Sequence, residues 1–270
     1  MSTTSLAPPV PRRTRSRSRP RRSPLSYLRR WVSPLILLAF WQVSSSAGVI
    51  SESTLASPRQ IAATAAELVR DGTLGTATLV SVERVAIGFA IGATFGLVLA
   101  VVAGLSRVAE DAIDPPLQML RTLPHFGLIP LFILWMGIGE APKLALIALG
   151  VAFPLYLNTL AGIRGIDRRT TEAATAMGLT WSQRIRHVIV PGALPQTLVG
   201  LRQSLGIAWL SLIVAETISA HSGLGYMINH ARDFLQTDAI VVGLAVYALL
   251  GLATDAVVRH LEGRALAWRG

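Results

Sequence analysis

Residues 78–104 read TLVSVERVAIGFAIGATFGLVLAVVAG, an apolar stretch that carries a small residue at every fourth position from Gly88 onward. These small residues are Gly88, Gly92, Gly96, Ala100 and Gly104. Positions four apart lie on one face of an α-helix, and small side chains there let a second helix approach closely where lipid supplies no hydrophobic drive for association. The stretch is long enough to cross a bilayer. It predicts a membrane-spanning helix with a packing seam.

Five further apolar runs share this character, and the chain as a whole is 51% hydrophobic but only 15% charged, against about 25% charged residues in soluble domains. The other runs lie at about 33–49, 115–137, 143–163, 193–218 and 239–258. Runs of this length predict transmembrane helices. We therefore expect an all-α membrane protein with six transmembrane helices over residues 32–262.

The first 30 residues contain 9 of the 25 basic residues, so the net charge of +10 comes largely from one tail. Residues 1–31 mix Arg, Pro and Ser without apolar periodicity, which predicts a disordered cytoplasmic tail. A nucleic-acid or anionic-lipid arm is the alternative to a topogenic tail, and we expect no nucleic-acid partner. The run at 33–49 also fits a signal peptide, but the runs that follow favour an uncleaved span.

The segments between the runs carry weaker signals. Residues 57–69 form an amphipathic pattern that opens with Ser-Pro, which predicts a helix at the outer surface. We expect a short loop over 105–114. Pro124 and Pro130 in the third run predict a kinked span buried among its neighbours.

Basic residues in the loops predict the orientation of the chain. With the N-terminus inside, the cytoplasmic segments carry 18 basic residues and the outer segments only four. Both termini and the long segment 164–192 are therefore predicted to be cytoplasmic, with residues 263–270 as a C-terminal tail. Cysteine is absent, which excludes disulfides and thiolate chemistry.

Sequence motifs for catalysis are missing. The only lysine is Lys143, which is followed by leucine, so the chain has no Walker A loop to bind ATP. HExxH, GxSxG and GxGxxG are also absent, and we assign no catalytic residue, metal ligand or cofactor to this chain. An intramembrane catalytic site built from Glu216 and a histidine stays open as an alternative.

The segment 164–192 is the most informative part of the chain. Its centre reads DRRTTEAATAMG over residues 167–178, and it ends with VIVP over residues 188–191. A glycine that can adopt a left-handed conformation followed by the capping-box pattern Thr-Trp-Ser-Gln predicts two short helices joined at Gly178. Ala173, Ala174 and Met177 share helical spacing and form a small apolar patch suited to a groove on another protein. An ordinary amphipathic cytoplasmic loop is the alternative.

The residues Glu172, Ala173, Ala174, Gly178 and Pro191 have the spacing of the EAA loop, and the segment resembles that loop in ABC importer permeases. The family pattern ends in Ile-x-Leu-Pro, where this chain has Val-x-Val-Pro. The resemblance implies that this segment, with Met177, forms the coupling helices that dock on a separate ATPase. Magnesium-bound ATP would then belong to that partner.

Stretches outside the loop are similar to the aliphatic-sulfonate importer permeases within the nitrate, sulfonate and taurine group. They are QMLRTLPH at 118–125, LIPL at 128–131, the residues 207–220, and DFLQTD at 233–238. The resemblance covers roughly residues 30–260. It implies a type I ABC importer permease fold in the bacterial inner membrane, a homodimer of two permeases, two ATP-binding subunits and an extracytoplasmic substrate-binding protein.

The substrate implied is a small organic anion, an aliphatic sulfonate. Nitrate, taurine or a pyrimidine precursor of thiamine are alternatives within the same class, and a non-transporting membrane scaffold is an alternative from another class. Ionisable residues within spans usually face the bundle interior or water, so they are candidates for the translocation pathway. The candidates are Arg121, His125, Arg202 and Glu216.

An anion would be drawn by Arg121 or Arg202, with His125 as a hydrogen-bond donor. The alternative is that the arginines within the spans, including Arg84, reach an interface or form structural pairs. Glu83 and Glu216 are the partners that the sequence offers for such pairs.

Overall fold

A computed structural model describes residues 24–51 and 54–267, with side chains from residue 32 onward, and this part of the chain is helical without strands. The helices are α1 (Pro24–Ser46), α2 (Pro58–Arg70), α3 (Thr73–Leu105), α4 (Arg107–Thr122), α5 (Ile129–Met136), α6 (Glu140–Arg164), α7 (Arg168–Ala176), α8 (Trp181–Arg184), α9 (Val190–Ser219), α10 (Leu224–Asp233) and α11 (Thr237–Ala265). A 3-10 turn at His125–Leu128 precedes α5, and a π turn at Ile185–Ile189 joins α8 to α9.

Four helical segments in the described part are long and apolar enough to cross a membrane: α3, α6, the continuous segment Trp181–Ser219 and α11. Helix α4 and the turn with α5 form a fifth span if the two parts are taken together, although they are bent by 90°. The apolar part of α1 that is described, Val32–Ser46, is shorter. The sixth span stays a prediction.

The region around the third run differs from the expectation. The predicted loop at 105–114 is wrong, because α4 begins at Arg107, where the Ser106 side chain accepts a hydrogen bond from the Ala109 amide (3.3 Å). The predicted kink is a break: α4 ends at Thr122, before Pro124, which has no N–H to continue a helix.

The boundaries of the predicted tails also shift. Helix α1 starts at Pro24, inside the segment predicted to be a disordered tail, and α11 continues to Ala265, past the boundary expected at residue 263. Residues 1–23 of the predicted tail lie outside the described residues. The amphipathic helix expected at 57–69 is confirmed as α2, with Ser57 accepting a hydrogen bond from the Gln60 amide (3.3 Å).

The predicted seam on α3 is confirmed, and it faces α6. A Cβ atom added at Gly92 would lie 2.8 Å from the Ala148 Cα, and one added at Gly96 would lie 3.1 Å from the Ala152 Cα. Ala100 is fully buried in the same row. Only glycine allows this separation of the two backbones, so the repeat sets how closely α3 and α6 pack.

Helix α6 is the centre of the bundle, with α9 on its other side. Ile147, Val151 and Leu155 of α6 are fully buried and form one core cluster with Leu212 of α9. The Ser204 hydroxyl of α9 donates a 2.8 Å hydrogen bond to the Val151 carbonyl. We call the end of the bundle that carries residues 164–192 the loop end, and the opposite end, where α6 begins and α9 finishes, the far end.

Replacement of Gly92 by leucine should destabilise the protein by about 1–3 kcal/mol, because the side chain would force α3 away from α6. The matched control is Gly75→Leu on the same helix, where an added Cβ meets nothing within 4 Å. Thermal unfolding of the detergent-solubilised protein measures the difference. Equal melting midpoints for the two variants would show that the seam does not determine the packing.

Candidate functional site

The segment 164–192 folds as two short helices at the loop end. Helix α7 closes at Gly178, which has φ +79°. The Leu179 amide donates to the Ala174 carbonyl (3.1 Å) and the Gly178 amide donates to the Thr175 carbonyl (3.0 Å), the two bonds of a Schellman motif. The predicted helix-glycine-helix form is confirmed.

Helix α8 begins with the predicted capping box, in which the Thr180 amide donates to Gln183 Oε1 (2.8 Å) and the Gln183 amide donates to Thr180 Oγ1 (3.4 Å). Pro191 lies in the first turn of α9, and the helix runs without interruption from Trp181 through the π turn to Ser219. Helix α8 is thus rigidly joined to a span.

The residues of the predicted apolar patch are partly buried within the chain and partly exposed at its surface. Ala174 is buried against the rest of the chain, whereas Met177 is 73% exposed and Ala173 is exposed beside it. Trp181, 62% exposed on α8, extends this surface and was missed from the sequence. The sequence feature that points to Trp181 is its position directly after the capping residue Thr180. We call Met177 and Trp181 the exposed loop-end surface.

Polar contacts hold α7 and α8 in place but leave their surface accessible. Glu172 Oε1 accepts a 2.8 Å bond from Arg168, and both side chains are mostly exposed. Such a surface pair contributes about 0.3–0.5 kcal/mol, so Glu172 can exchange this partner for another at little cost. Arg184 of α8 donates to Thr175 Oγ1 (2.9 Å) of α7, which fixes the two helices to each other.

Among the pathway candidates, His125 lies at the break between α4 and α5. Its ring packs at a tilt against Phe126 with centroids 3.9 Å apart, and its Nε2 lies 3.4 Å from the Ser211 hydroxyl of α9. A Cβ added at Gly150, near the middle of α6, would lie 3.4 Å from the same Nε2. The broken helix therefore meets α6 near the middle of its length and α9 at Ser211, in the half of α9 that leads to the far end.

Arg121 lies in the last turn of α4, just before this break, and it is exposed. No ion pair or hydrogen bond joins its guanidinium to any residue that the structure describes. An unpaired charge within a membrane-spanning segment has to face water or a partner. Arg121 and His125 therefore bring a free cation and an imidazole to one broken helix.

Arg202 is placed differently. Its Nε lies 3.5 Å from Asp255, and its Nη2 donates to Glu262, both on α11. These contacts join α9 to α11 toward the loop end. The structure favours the alternative of a structural pair for Arg202.

Glu216 is also part of a packed interior, since it is only 1% exposed. Its carboxylate accepts hydrogen bonds from the Ser81 hydroxyl (2.9 Å), Arg84 Nη1 (2.6 Å), the Gly225 amide (2.8 Å) and the Tyr247 hydroxyl (2.9 Å). The donors come from α3, α10 and α11. Because its oxygens are occupied within the protein, Glu216 acts as an anchor of the fold and the structure does not place it on a pathway.

Arg84 uses all five of its N–H donors. Nε and Nη2 donate to the two oxygens of Glu140 (2.7 and 2.8 Å), while Nη1 donates to Glu216 and to the Ser222 carbonyl (2.6 Å), and Nη2 also reaches the Ser222 hydroxyl (3.1 Å). Glu140 accepts a further bond from Lys143 Nζ (2.9 Å). We call these residues, with Glu216, the far-end cluster.

The sequence offers Glu83 and Glu216 as partners for Arg84. The structure selects Glu216 and adds Glu140, which was missed together with Lys143. The sequence feature that points to Glu140 and Lys143 is the spacing of an acidic and a basic residue three positions apart at the start of the fourth apolar run. Among the described residues, no three His, Asp or Glu side chains form a cluster that could hold a metal ion.

Long apolar helices packed through glycine, a broken helix and a capped helix pair at one end make this chain a multi-pass membrane protein. The family model described as "Binding-protein-dependent transport system inner membrane component" matches residues 92–266, and the chain belongs to this family.

Two relatives carry the name "Putative aliphatic sulfonates transport permease protein SsuC". The one from Bacillus subtilis (strain 168) is 45% identical over 253 residues, which cover 94% of this chain and 92% of the relative. The one from Escherichia coli (strain K12) is 48% identical over 238 residues, 88% of this chain and 90% of the relative. These relatives are subunits of transporters.

A solved structure, "Crystal structure of an amino acid ABC transporter with histidines", is similar with a TM-score of 0.62. It is 17% identical in sequence, and the match covers 74% of this chain and 97% of the other. At this identity the likeness shows the fold alone, which is that of an ABC transporter permease.

Glu216→Gln should destabilise the protein by about 3–5 kcal/mol, because it removes the charge that balances the buried Arg84. Glu172→Gln is the matched control, since it removes an exposed carboxylate whose pair contributes little. Thermal or denaturant unfolding of the purified chain measures both. A Glu216→Gln variant as stable as Glu172→Gln would contradict the anchoring role.

Proposed function

We propose that this chain is the membrane-spanning subunit of an ATP-driven importer for aliphatic sulfonates. The observation that carries the proposal is the 45–48% identity, over about nine-tenths of the chain, to two permeases that are named for these substrates. Nitrate, taurine and thiamine-precursor pyrimidines stay as alternatives within the class, and no observation favours a membrane scaffold.

The assembly we propose has two copies of this chain, two cytoplasmic ATP-binding subunits and an extracytoplasmic substrate-binding protein in the inner membrane. Six spans would place both termini and the loop end on the cytoplasmic side, as the excess of basic residues there predicts. In this orientation the far end faces outward. ATP and magnesium would be bound by the partner subunits.

The coupling we propose runs from the exposed loop-end surface into the bundle. Glu172, Met177 and Trp181 would contact the ATPase. Because α8 is continuous with α9, a displacement of the ATPase would act directly on α9. Helix α9 is joined to α6 through the 2.8 Å bond between Ser204 and Val151, so the movement would reach the centre of the bundle.

The pathway we propose passes the broken helix between α4 and α5. A sulfonate group presents three oxygens, which suit the planar donors of the Arg121 guanidinium. His125, half-buried beside Ser211, would add a donor at the same level. Arg202 and Glu216 are not included, because their charges are already paired within the protein.

Deletion of the gene should abolish growth on ethanesulfonate as the sole sulfur source, and the wild-type gene should restore it. Growth on ethanesulfonate that does not depend on this gene would contradict the proposed substrate. Uptake of radiolabelled ethanesulfonate, taurine and nitrate in the same strains then separates the alternatives within the class.

Gly178→Pro should leave the ATPase active but abolish uptake in proteoliposomes that contain the whole transporter. Proline cannot adopt φ +79° and has no amide to bond Thr175, so the strain should exceed about 1 kcal/mol and shift α7 relative to α8. Gly178→Asn is the control, because asparagine tolerates this conformation and should preserve uptake. Normal uptake by a well-inserted Gly178→Pro variant would count against the coupling role.

Arg121→Met should lower ethanesulfonate uptake roughly ten- to hundredfold, since a hydrogen bond to a charged group contributes about 1.5–3 kcal/mol. Arg121→Lys should retain part of the uptake because it keeps the charge. Arg107→Met, an exposed arginine at the start of the same helix, is the matched control. Equal uptake by the Arg107 and Arg121 variants would remove Arg121 from the pathway.

A further inference from the structure

The far-end cluster contains an exposed carboxylate between two buried cations. The side chain of Glu140 is 56% exposed, whereas those of Arg84 and Lys143 are 5% and 2% exposed. Glu140 is therefore open to exchange of its partners at the surface, whereas the two cations are held in the interior.

The contact between Arg84 and Glu140 has the form of a general oxyanion site. Two parallel bonds from Nε and Nη2, of 2.7 and 2.8 Å, meet two oxygens that share one central atom. The geometry of this fork suits a carboxylate, a sulfonate or a sulfate, because each presents two such oxygens. Lys143, whose single described hydrogen bond is to Glu140, keeps two further donors.

The charges around the site favour an anion once Glu140 leaves. The two positive charges of Arg84 and Lys143 are balanced by Glu216, which is buried, and by Glu140, which is not. Removal of Glu140 leaves one net positive charge at the site, and an incoming anion would neutralise it. Glu83 also lines the site, but it is exposed and forms no ion pair with a described residue.

Space for a ligand lies directly against this fork. A cavity of about 240 Å³ is lined by Glu83, Arg84, Glu140 and Ser222, with apolar walls from Val80, Ile87 and Leu144. A charged edge beside apolar walls matches a molecule with an anionic head and a short alkyl chain. An inorganic anion would use the charged edge only.

We infer that the far end contains an anion site in which Glu140 is a displaceable internal counter-ion, and that the sulfonate group of an alkanesulfonate takes its place on Arg84 and Lys143. The identity of the anion rests on the proposed function, and the existence of the site does not. Glu140 would hold the site closed when no substrate is present, and substrate would enter by exchange of one anion for another. The site would thus discriminate against neutral and cationic molecules before the broken helix is reached.

The inference can be tested without a transport assay, by measuring whether added anions restore the thermal stability of a Glu140→Ala variant. In low-salt buffer, the purified full-length variant should melt below the wild type, because Arg84 then keeps only Glu216 and Lys143 loses the one carboxylate it contacts among the described residues. Sodium methanesulfonate and sodium acetate should each restore most of the lost melting temperature in a saturable titration. Sodium chloride at matched ionic strength is the reference for screening.

The wild type should require a concentration of methanesulfonate roughly tenfold or more higher for the same effect, because its own tethered carboxylate competes at a high effective concentration. Glu83→Ala, which removes the other carboxylate of the same cavity, should respond like the wild type. If Glu140→Ala does not yield folded protein, Glu140→Gln keeps the shape of the side chain and removes only its charge.

Rescue that is absent, or that is equal in Glu140→Ala, Glu83→Ala and the wild type, would overturn the site. Rescue by acetate without rescue by methanesulfonate would overturn the assignment of a sulfonate ligand. If methanesulfonate rescues the variant but cells take up no alkanesulfonate, the anion site stands and the proposed function fails.

Discussion

A buried carboxylate lies at the junction where the helices of the far end meet. Glu216 is almost fully buried, and its charge is tolerated because Arg84 lies 2.6 Å away and three neutral donors occupy its remaining acceptor positions. Through these bonds α9 is joined to α3, α10 and α11, and Arg84 carries the link to α6 through Glu140. Loss of the Arg84 contact would leave a buried charge unbalanced, and loss of a neutral donor would leave a buried carboxylate oxygen unsatisfied, so the helices at the far end are held in one arrangement. Any large movement of the bundle therefore has to keep this junction or replace its partners.

The two ends of the bundle differ in the strength of their connections. At the loop end, Arg164 pairs with Glu110 and Arg202 with Glu262, and these side chains are about one-third exposed. Exposed pairs of this kind are exchanged easily. Between the two ends, the glycine seam holds α3 against α6 at a separation that no larger residue allows. The bundle is thus fixed at the far end and more easily rearranged at the loop end. Such a bundle is suited to a conformational change that starts at the loop end and opens a path between the helices.

Much of this could be predicted from the sequence wherever the cause is local. The seam follows from glycine at four-residue intervals, and the two helices at the loop end follow from Gly178 and the Thr180–Gln183 capping box. The break before Pro124 was foreseen only as a kink, because its 90° angle depends on how α5 packs against α6. The partners of Glu216 and Arg84 come from five different helices, and Arg84 and Glu216 themselves are separated by more than 130 residues. Local pattern shows that such charges need partners but does not show which ones. The sequence therefore predicts a pathway role for Arg202, whereas the structure pairs it with Asp255 and Glu262 of α11.

The link between the exposed loop-end surface and ATP hydrolysis is tested most directly by a photoreactive amino acid placed at Met177 in cells that import ethanesulfonate. Irradiation should join this chain to its ATP-binding subunit, and the same probe at Phe234, which is 65% exposed between α10 and α11, should not capture that subunit. A reagent that cannot cross the membrane should fail to label a cysteine at position 177 in intact cells. Capture of the ATP-binding subunit from position 234, or labelling of position 177 from outside, would contradict both the orientation and the coupling role of the 164–192 segment.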